Sequence, residues 1–239
     1  MKHIYASCLL LVTALASCHH DVENLAPDLT GTYVARNIIT AAHPIALYTK
    51  NGLENNPAVV TRFLARRPSL ASYFSVSDVP LPSGSTLRLT FRANNRATVL
   101  ATTPTYTDSI RAEVGGRQAT FFLLQNLDST LSYSPSSYMG CNRISLLADY
   151  VRGTAPGKRC FAAPTIGNLN GQACRERPVR VIGVRGGQLY IPFYSWLIQT
   201  GGCYTALSGE WNTFGEGVVG QLATGDTLVV QEREIALHR

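Results

Sequence analysis

Residues 86–101 read TLRLTFRANNRATVLA, and this stretch decides the fold class. Apolar and polar side chains alternate on both sides of an asparagine pair, with Leu87, Leu89 and Phe91 before it and Ala97, Val99 and Ala101 after it. A period of two is typical of a strand with one buried face. Asn94-Asn95 lies between the two runs, and asparagine tolerates the positive φ angles of tight hairpin turns. The stretch therefore predicts an antiparallel β-hairpin.

Two further hairpins follow the same pattern. One is predicted to turn at Gly115-Gly116 and the other at Gly186-Gly187, because glycine adopts positive φ without steric cost. Strands outside the three hairpins are predicted at residues 30–38, 130–138, 144–151, 204–208, 217–222 and 227–237. In the last of these, the apolar parity changes along the strand, which indicates a bulge or an uncovered end near Glu232.

One early helix is predicted near residues 57–67. Asn56 is a suitable N-cap, Pro57 suits the first helical position, and Val60 and Leu64 share one face. About nine to eleven short strands with a single early helix make the chain mainly β, a single antiparallel β-barrel or sandwich. No linker interrupts the strands, so residues 29–239 are expected to form a single β domain.

The N-terminal residues predict an export signal. Residues 4–16 are almost wholly apolar, which suits a secretory signal and is too short to span a bilayer as a helix. The run ends at Leu15-Ala16-Ser17-Cys18, which resembles the lipobox of bacterial lipoproteins. The resemblance implies that residues 1–17 are a lipoprotein signal peptide and that lipid is attached to Cys18. The alternative is an ordinary secreted protein in which Cys18 pairs with another cysteine.

The resemblance to a lipobox also implies where in the cell the protein is located. Residues 18–28 contain few large apolar side chains and are expected to form a flexible tether. The resemblance therefore implies a protein of the cell envelope, anchored to a membrane through Cys18. We expect the outer membrane, with the domain facing the periplasm or the surface.

Four cysteines remain besides Cys8 and Cys18, and an even number in an oxidising compartment indicates two disulfides. Three pairings are possible. We expect Cys160–Cys174 to close a loop rich in glycine, proline and asparagine, and Cys141–Cys203 to join more distant strands. A structural zinc site is the rival interpretation, but the cysteines lack C-x-x-C spacing.

A second resemblance concerns the start of the domain. Leu29-Thr30-Gly31-Thr32-Tyr33 follows the tether and is similar to the start of lipocalin-like bacterial lipoproteins, in which a Gly-x-Trp motif begins the first strand. Tyr33 stands at the position of the tryptophan. The resemblance implies a cup-shaped barrel that binds or carries a small apolar ligand.

Motifs of catalysis are scarce. The sequence contains no H-E-x-x-H, no G-x-S-x-G and no P-loop or dinucleotide fingerprint. Glu210 and Glu216 flank two aromatic residues, as paired carboxylates do in glycosidases, but their spacing in a glycine-rich loop defines no geometry. The net charge of +6 is spread along the chain without a Lys/Arg run, so nucleic acid is not expected as a partner. We predict no enzyme activity, no metal and no cofactor.

The candidate binding residues are aromatic: Tyr190, Tyr194, Trp196, Tyr204 and Trp211. Aromatic side chains with polar tips bind sugars and anchor protein partners, although the same residues also fit a core. The sequence thus predicts a membrane-anchored envelope lipoprotein with a non-catalytic β domain that binds a small apolar molecule, a glycan or a protein. The alternatives are a structural or assembly subunit of an envelope complex and, third, a hydrolase. The oligomeric state stays open.

Overall fold

Strands dominate the computed structural model, which describes residues 29–54, 56–116, 118, 120–128, 130–135, 141–152, 159–162 and 171–239. The strands are β1 Gly31–Ala35, β2 Ile38–Ala41, β3 Ala46–Thr49, β4 Gly52–Glu54, β5 Val79–Pro80, β6 Thr86–Arg92, β7 Arg96–Thr102, β8 Thr107–Gly115, β9 Phe121–Asn126, β10 Thr130–Pro135, β11 Arg159–Ala162, β12 Gly171–Glu176, β13 Val179–Arg185, β14 Gln188–Thr200, β15 Cys203–Glu210 and β16 Asp226–His238. The helices are α1 Pro57–Ala65, α2 Pro68–Ala71, α3 Asn142–Arg152 and the 3-10 helix Glu216–Gln221.

Eight of these strands close a barrel. They follow the order β1, β6, β7, β8, β9, β13, β14 and β16 around the barrel, and β16 pairs with β1 to complete it. Each neighbouring pair is antiparallel. The prediction of a mainly β, antiparallel protein is confirmed. Of the two predicted architectures, barrel and sandwich, the structure has the barrel. The structure has more strands than predicted, because short strands also occur between β1 and β6 and around Cys160.

The turn of the central hairpin has the predicted chemistry. Asn94 and Asn95 have φ angles of 60° and 56°, and Arg92 pairs with Arg96 on either side of them. Two consecutive residues at positive φ match the right-handed twist of the strands they connect. The sequence therefore fixes the register of β6 against β7 locally, without help from the rest of the barrel.

Large apolar side chains fill the barrel interior. Tyr33, Phe91 and Phe122 form two edge-to-face contacts, each with ring centroids 5.6 Å apart. Leucine and isoleucine side chains such as Leu89 and Ile182 complete this core and are fully buried. An eight-stranded barrel is just wide enough for its own side chains to fill it. Its interior here is a packed core.

β14 and β16 are each 13 residues long and extend beyond the barrel. Their extensions pair with each other, with β15 and with β3. On one face, α1 packs Val60 and Leu64 against Leu197 and Val229. On the opposite face, α3 and the 3-10 helix cover a second apolar cluster. The extension is therefore a sheet between two helical layers.

The early helix agrees with its predicted signals. Asn56 accepts a hydrogen bond from the amide of Ala58 at 3.0 Å, and Pro57 occupies the first turn. The helix α1 ends at Ala65, within the predicted range of 57–67, and a short helix α2 begins at Pro68. The prediction of an early helix is confirmed.

Three predicted strand features are wrong. Residues 144–151 belong to the helix α3, because Ile144, Leu147, Ala148 and Val151 recur at the spacing of a helical face. Residues 217–222 fall largely in the 3-10 helix, which turns Val218 towards the core. The pairing of β16 with β14 runs without a shift past Glu232. The change of apolar parity arises because different layers cover the two faces of β16.

Cys141 and Cys203 form a disulfide with Cα atoms 6.0 Å apart, which joins the start of α3 to β15. Cys160 and Cys174 are directly opposite each other in the pairing of β11 with β12. Their side chains lie outside the described set, so the Cys160–Cys174 bond stays a prediction. The predicted signal peptide, the predicted tether and Cys18 fall in residues 1–28, outside the described residues.

Candidate ligand-binding cleft

A cleft of about 940 Å³ lies outside the barrel, where the connection from β2 to β3 and the helix α1 face the middle of β16. Small-molecule sites in proteins commonly have volumes of about 300–1,000 Å³. Its apolar walls include Ile45, Val60 and Val230. Leu53 and Val76 also line it and are 49% and 91% exposed. The cleft thus combines an apolar interior with an apolar rim that is open to solvent.

The rings of Tyr48 and Phe214, in tilted contact, build one wall. The ring of Tyr48 lies 5.7 Å from that of Phe214, whose other neighbour is Tyr194 at 6.0 Å. Tyr194 is fully buried, and its hydroxyl donates a 2.7 Å hydrogen bond to the carbonyl of Val151 at the end of α3. A buried hydrogen bond of this kind fixes the orientation of a ring. The wall is therefore held rigidly from behind.

The segment that carries Val76 is tied to β16. The side-chain amide of Gln231, which is 1% exposed, accepts a hydrogen bond from the amide of Ser75 at 2.9 Å and donates one to its carbonyl. Arg233 adds a 3.3 Å bond to the carbonyl of Ser77. The two bonds of Gln231 satisfy its buried side-chain amide and, with the bond of Arg233, hold the rim of the cleft in place.

The cleft is acidic although the protein is basic. The chain carries 21 Lys and Arg against 15 Asp and Glu. Among the described residues that line the cleft, Glu54, Glu216 and Glu232 are acidic and none is Lys or Arg. His43 stands at the rim, with its Nε2 atom 3.9 Å from Oε2 of Glu232. The carboxylates produce a local potential of opposite sign to the net charge.

The phenol of Tyr48 responds to this environment. Burial raises the pKa of Tyr48, and the charges of Glu216 and Glu232 raise it further. Both effects disfavour the phenolate, since one removes water from it and the other repels it. Tyr48 is therefore neutral at physiological pH and presents a hydroxyl and an aromatic face to the cleft.

The five predicted aromatic residues do not form one surface. Tyr194 and Trp196 are buried beneath α3, where Tyr194 supports the cleft wall from behind. Tyr190 covers Gly183 on the neighbouring strand. Tyr204 is 57% exposed and faces Arg67 of the segment after α1, with 5.7 Å between the guanidinium and the ring.

Trp211, the fifth of these residues, closes the barrel core on one side. Its indole Nε1 donates a 2.8 Å hydrogen bond to the carbonyl of Val181, and the guanidinium of Arg180 lies 5.4 Å from its ring. Burial lowers the pKa of Arg180, and the charges of Asp108 and Glu210 offset part of this effect. Trp211 is thus structural in this position.

The predicted carboxylate pair is separated. Glu216 lines the cleft, whereas Glu210 does not. The charge of Glu210 instead raises the pKa of Arg180. The structure instead brings Glu216 near Glu232 and Tyr48, neither of which is a predicted site residue. No local signal connects these two with Glu216, because the three come from distant segments of the chain.

Neither metal ligands nor membrane helices are found in the part of the chain that the structure describes. It contains no cluster of three or more His, Cys, Asp or Glu side chains with the arrangement of a metal site. It also contains no helix that is long and apolar enough to cross a membrane. No protein family, no curated protein and no solved structure matches this chain.

Proposed function

We propose that this chain is a membrane-anchored lipoprotein of the cell envelope whose barrel domain binds a small molecule with an apolar body in the cleft. The observation that carries the proposal is the cleft itself, with a volume of about 940 Å³ and an aromatic wall fixed by a buried hydrogen bond. A pocket with apolar walls and a few convergent polar groups is the usual form of a ligand site.

The packed barrel argues for a ligand outside its interior. The side chains inside the barrel are in contact with one another and almost fully buried. The resemblance to lipocalin-like lipoproteins implies a ligand within the barrel, and membership in that family stays a prediction. Opening the interior would expose apolar surface and break the edge-to-face contacts of Phe91, at several kcal/mol. The cleft offers volume without that cost.

The position of the cleft suits an anchored protein. Arg239 donates a 3.3 Å hydrogen bond to the carbonyl of Thr30, so the first described residues lie beside the end of β16. Glu232 is seven residues before Arg239, which is about 23 Å along an extended strand. A tether over residues 18–28 spans at most about 40 Å. An anchor at Cys18 would therefore keep the start of the domain within about that distance of the membrane.

A cleft-filling variant tests the proposal. Thr61 is an exposed residue of α1 that lines the cleft, whereas Ala65 is an exposed residue of the same helix that does not line it. Native mass spectrometry of the full chain, extracted in mild detergent, should detect a retained small molecule. Thr61→Trp should abolish its retention and Ala65→Trp should preserve it. Equal retention by the two variants would refute the assignment of the cleft.

One observation favours an accessory subunit as the second candidate function. Leu146 and Tyr150 are 50% and 47% exposed and lie one turn apart on α3. Exposed apolar side chains on one helical face are typical of an interface. Replacement of both by serine should then dissolve a native-sized complex in mild detergent without unfolding the chain. An unchanged size would remove this alternative.

A further inference from the structure

We infer that the cleft selects an organic cation, a small molecule with an apolar body and one ammonium group. The inference rests on the proposed function, because it specifies the ligand of the same cleft. Two features on different elements carry it: an excess of carboxylates at the cleft and an aromatic pair on its wall. Each favours positive charge for a separate physical reason.

The carboxylates set the sign of the charge. Glu54 comes from β4, Glu216 from the 3-10 helix and Glu232 from β16, so three elements contribute negative charge to one cleft. His43 at the rim is 69% exposed, and its Nε2 atom lies 3.9 Å from Oε2 of Glu232. In a chain of net charge +6, this local excess is opposite to the average surface. An anionic ligand would meet repulsion from all three carboxylates.

The aromatic wall adds a second attraction. Tyr48 and Phe214 contact each other at an interplanar angle of 36°, and both line the cleft. The face of an aromatic ring is electronegative and attracts an ammonium group, most strongly where water is excluded. The ring of Phe214 is half-buried, so it is partly shielded from water. The phenol oxygen of Tyr48 can also accept a hydrogen bond from an N–H of the ligand.

The ligand is organic because the cleft does not offer the geometry of a metal site. Three carboxylates that bind a divalent ion must converge within about 2–3 Å of one point. In the described ranges, no such cluster of ligands occurs. The apolar walls, which include Ile45 and Val230, would also remain unoccupied around a bare ion. An ammonium group on an apolar body uses the whole cleft.

Three probes of equal shape test the inference: phenylbutylamine, phenylbutanol and phenylbutyrate, which are cationic, neutral and anionic at pH 7. Binding is measured by isothermal titration calorimetry on the full chain in nanodiscs of zwitterionic lipid, with empty nanodiscs as the blank. The amine should bind about tenfold more tightly than the alcohol, and the carboxylate should bind most weakly. The preference should decrease as salt is added, since the carboxylates are partly exposed.

Variants locate the preference. The double variant Glu216→Gln with Glu232→Gln should reduce the advantage of the amine to about twofold or less while keeping the affinity for the alcohol. Glu113→Gln is the matched control, because Glu113 is an exposed glutamate on β8, outside the cleft, 3.9 Å from Arg96. It should change nothing. An equal effect of the control would show that the preference is not a property of the cleft.

The outcomes separate the two claims. If none of the three probes binds, the proposed ligand site is wrong. If the alcohol or the carboxylate binds as tightly as the amine, the cleft binds ligands but the inferred charge is wrong. If the amine binds best and the double variant removes its advantage, both claims hold.

Discussion

The ring centroid of Tyr48 lies 5.7 Å from that of Phe214. Tyr48 belongs to β3, near the start of the domain, and Phe214 lies in the loop before the 3-10 helix, near its end. Their contact creates one wall of the cleft from two segments that are far apart in the sequence. The candidate site therefore depends on the extension beyond the barrel, where β3 pairs with β16.

The titration of Tyr48 reports the electrostatics of the cleft. Burial and then two glutamates raise the pKa of Tyr48 in the folded protein. Tyr48 should therefore ionise at a higher pH than an exposed tyrosine, whose pKa is about 10. The Glu216→Gln and Glu232→Gln double variant should lower this pKa only in part, since burial remains. The ultraviolet difference between each protein and its Tyr48→Phe form measures the ionisation.

The same shift has a consequence for stability at high pH. A pKa that is higher in the folded than in the unfolded chain contributes stability below the unfolded pKa, and this contribution is lost as the pH rises through the folded one. Tyr48→Phe should therefore reduce the loss of stability in alkaline solution. An identical alkaline dependence of the two proteins would contradict the environment assigned to Tyr48.

Gly183 should not tolerate a side chain. The ring of Tyr190 lies directly against it, so a Cβ atom at position 183 would overlap the ring. Gly183→Ala should reduce the free energy of unfolding by about 1–3 kcal/mol, as measured in urea. Gly202→Ala is the control, because a Cβ atom at that position meets no other atom and its φ is not positive. A cost at Gly202 equal to that at Gly183 would argue against steric overlap.

The disulfides can be mapped directly. Non-reducing peptide mapping should find Cys141 linked to Cys203 and Cys160 linked to Cys174. Replacement of both Cys141 and Cys203 by serine should cost about 4 kcal/mol, because the bridge closes a segment of 62 residues. A Cys141–Cys160 bridge would refute the pairing.

The lipid anchor has a separate test. Metabolic labelling with a fatty-acid analogue should mark the wild-type chain and leave Cys18→Ala unlabelled, because we propose that the lipid is attached to the Cys18 thiol. The variant should also leave the membrane fraction or stay unprocessed. Normal labelling of Cys18→Ala would remove the anchor from the account.

Much of the fold follows from local sequence. The alternation around Asn94 and Asn95 contains both the strands and the turn of the central hairpin, so it needs no distant contact. The helix α3 was mistaken for a strand because its β-branched residues suit strands, although Ile144, Leu147 and Val151 follow a helical period. Because α3 covers Tyr194 and Trp196, these two of the five aromatic candidates belong to a core, which is the alternative that the sequence left open for them.

The cleft itself could not be predicted from the sequence. Tyr48, Glu216 and Glu232 belong to three segments, and no motif groups them. Their approach depends on the pairing of β16 with β3 and on the position of the 3-10 helix, which are properties of the assembled barrel. Local sequence patterns do not predict such contacts between distant segments.

Photoaffinity labelling tests the central claim most directly. The probe is phenylbutylamine carrying a diazirine on its ring, applied to the full chain in nanodiscs and followed by peptide mapping. The account predicts labelling of peptides that contain residues 41–61, 214–216 or 230–232, with loss of the label in Thr61→Trp. Labelling of barrel strands such as β7 or β8, or labelling unaffected by Thr61→Trp, would contradict it.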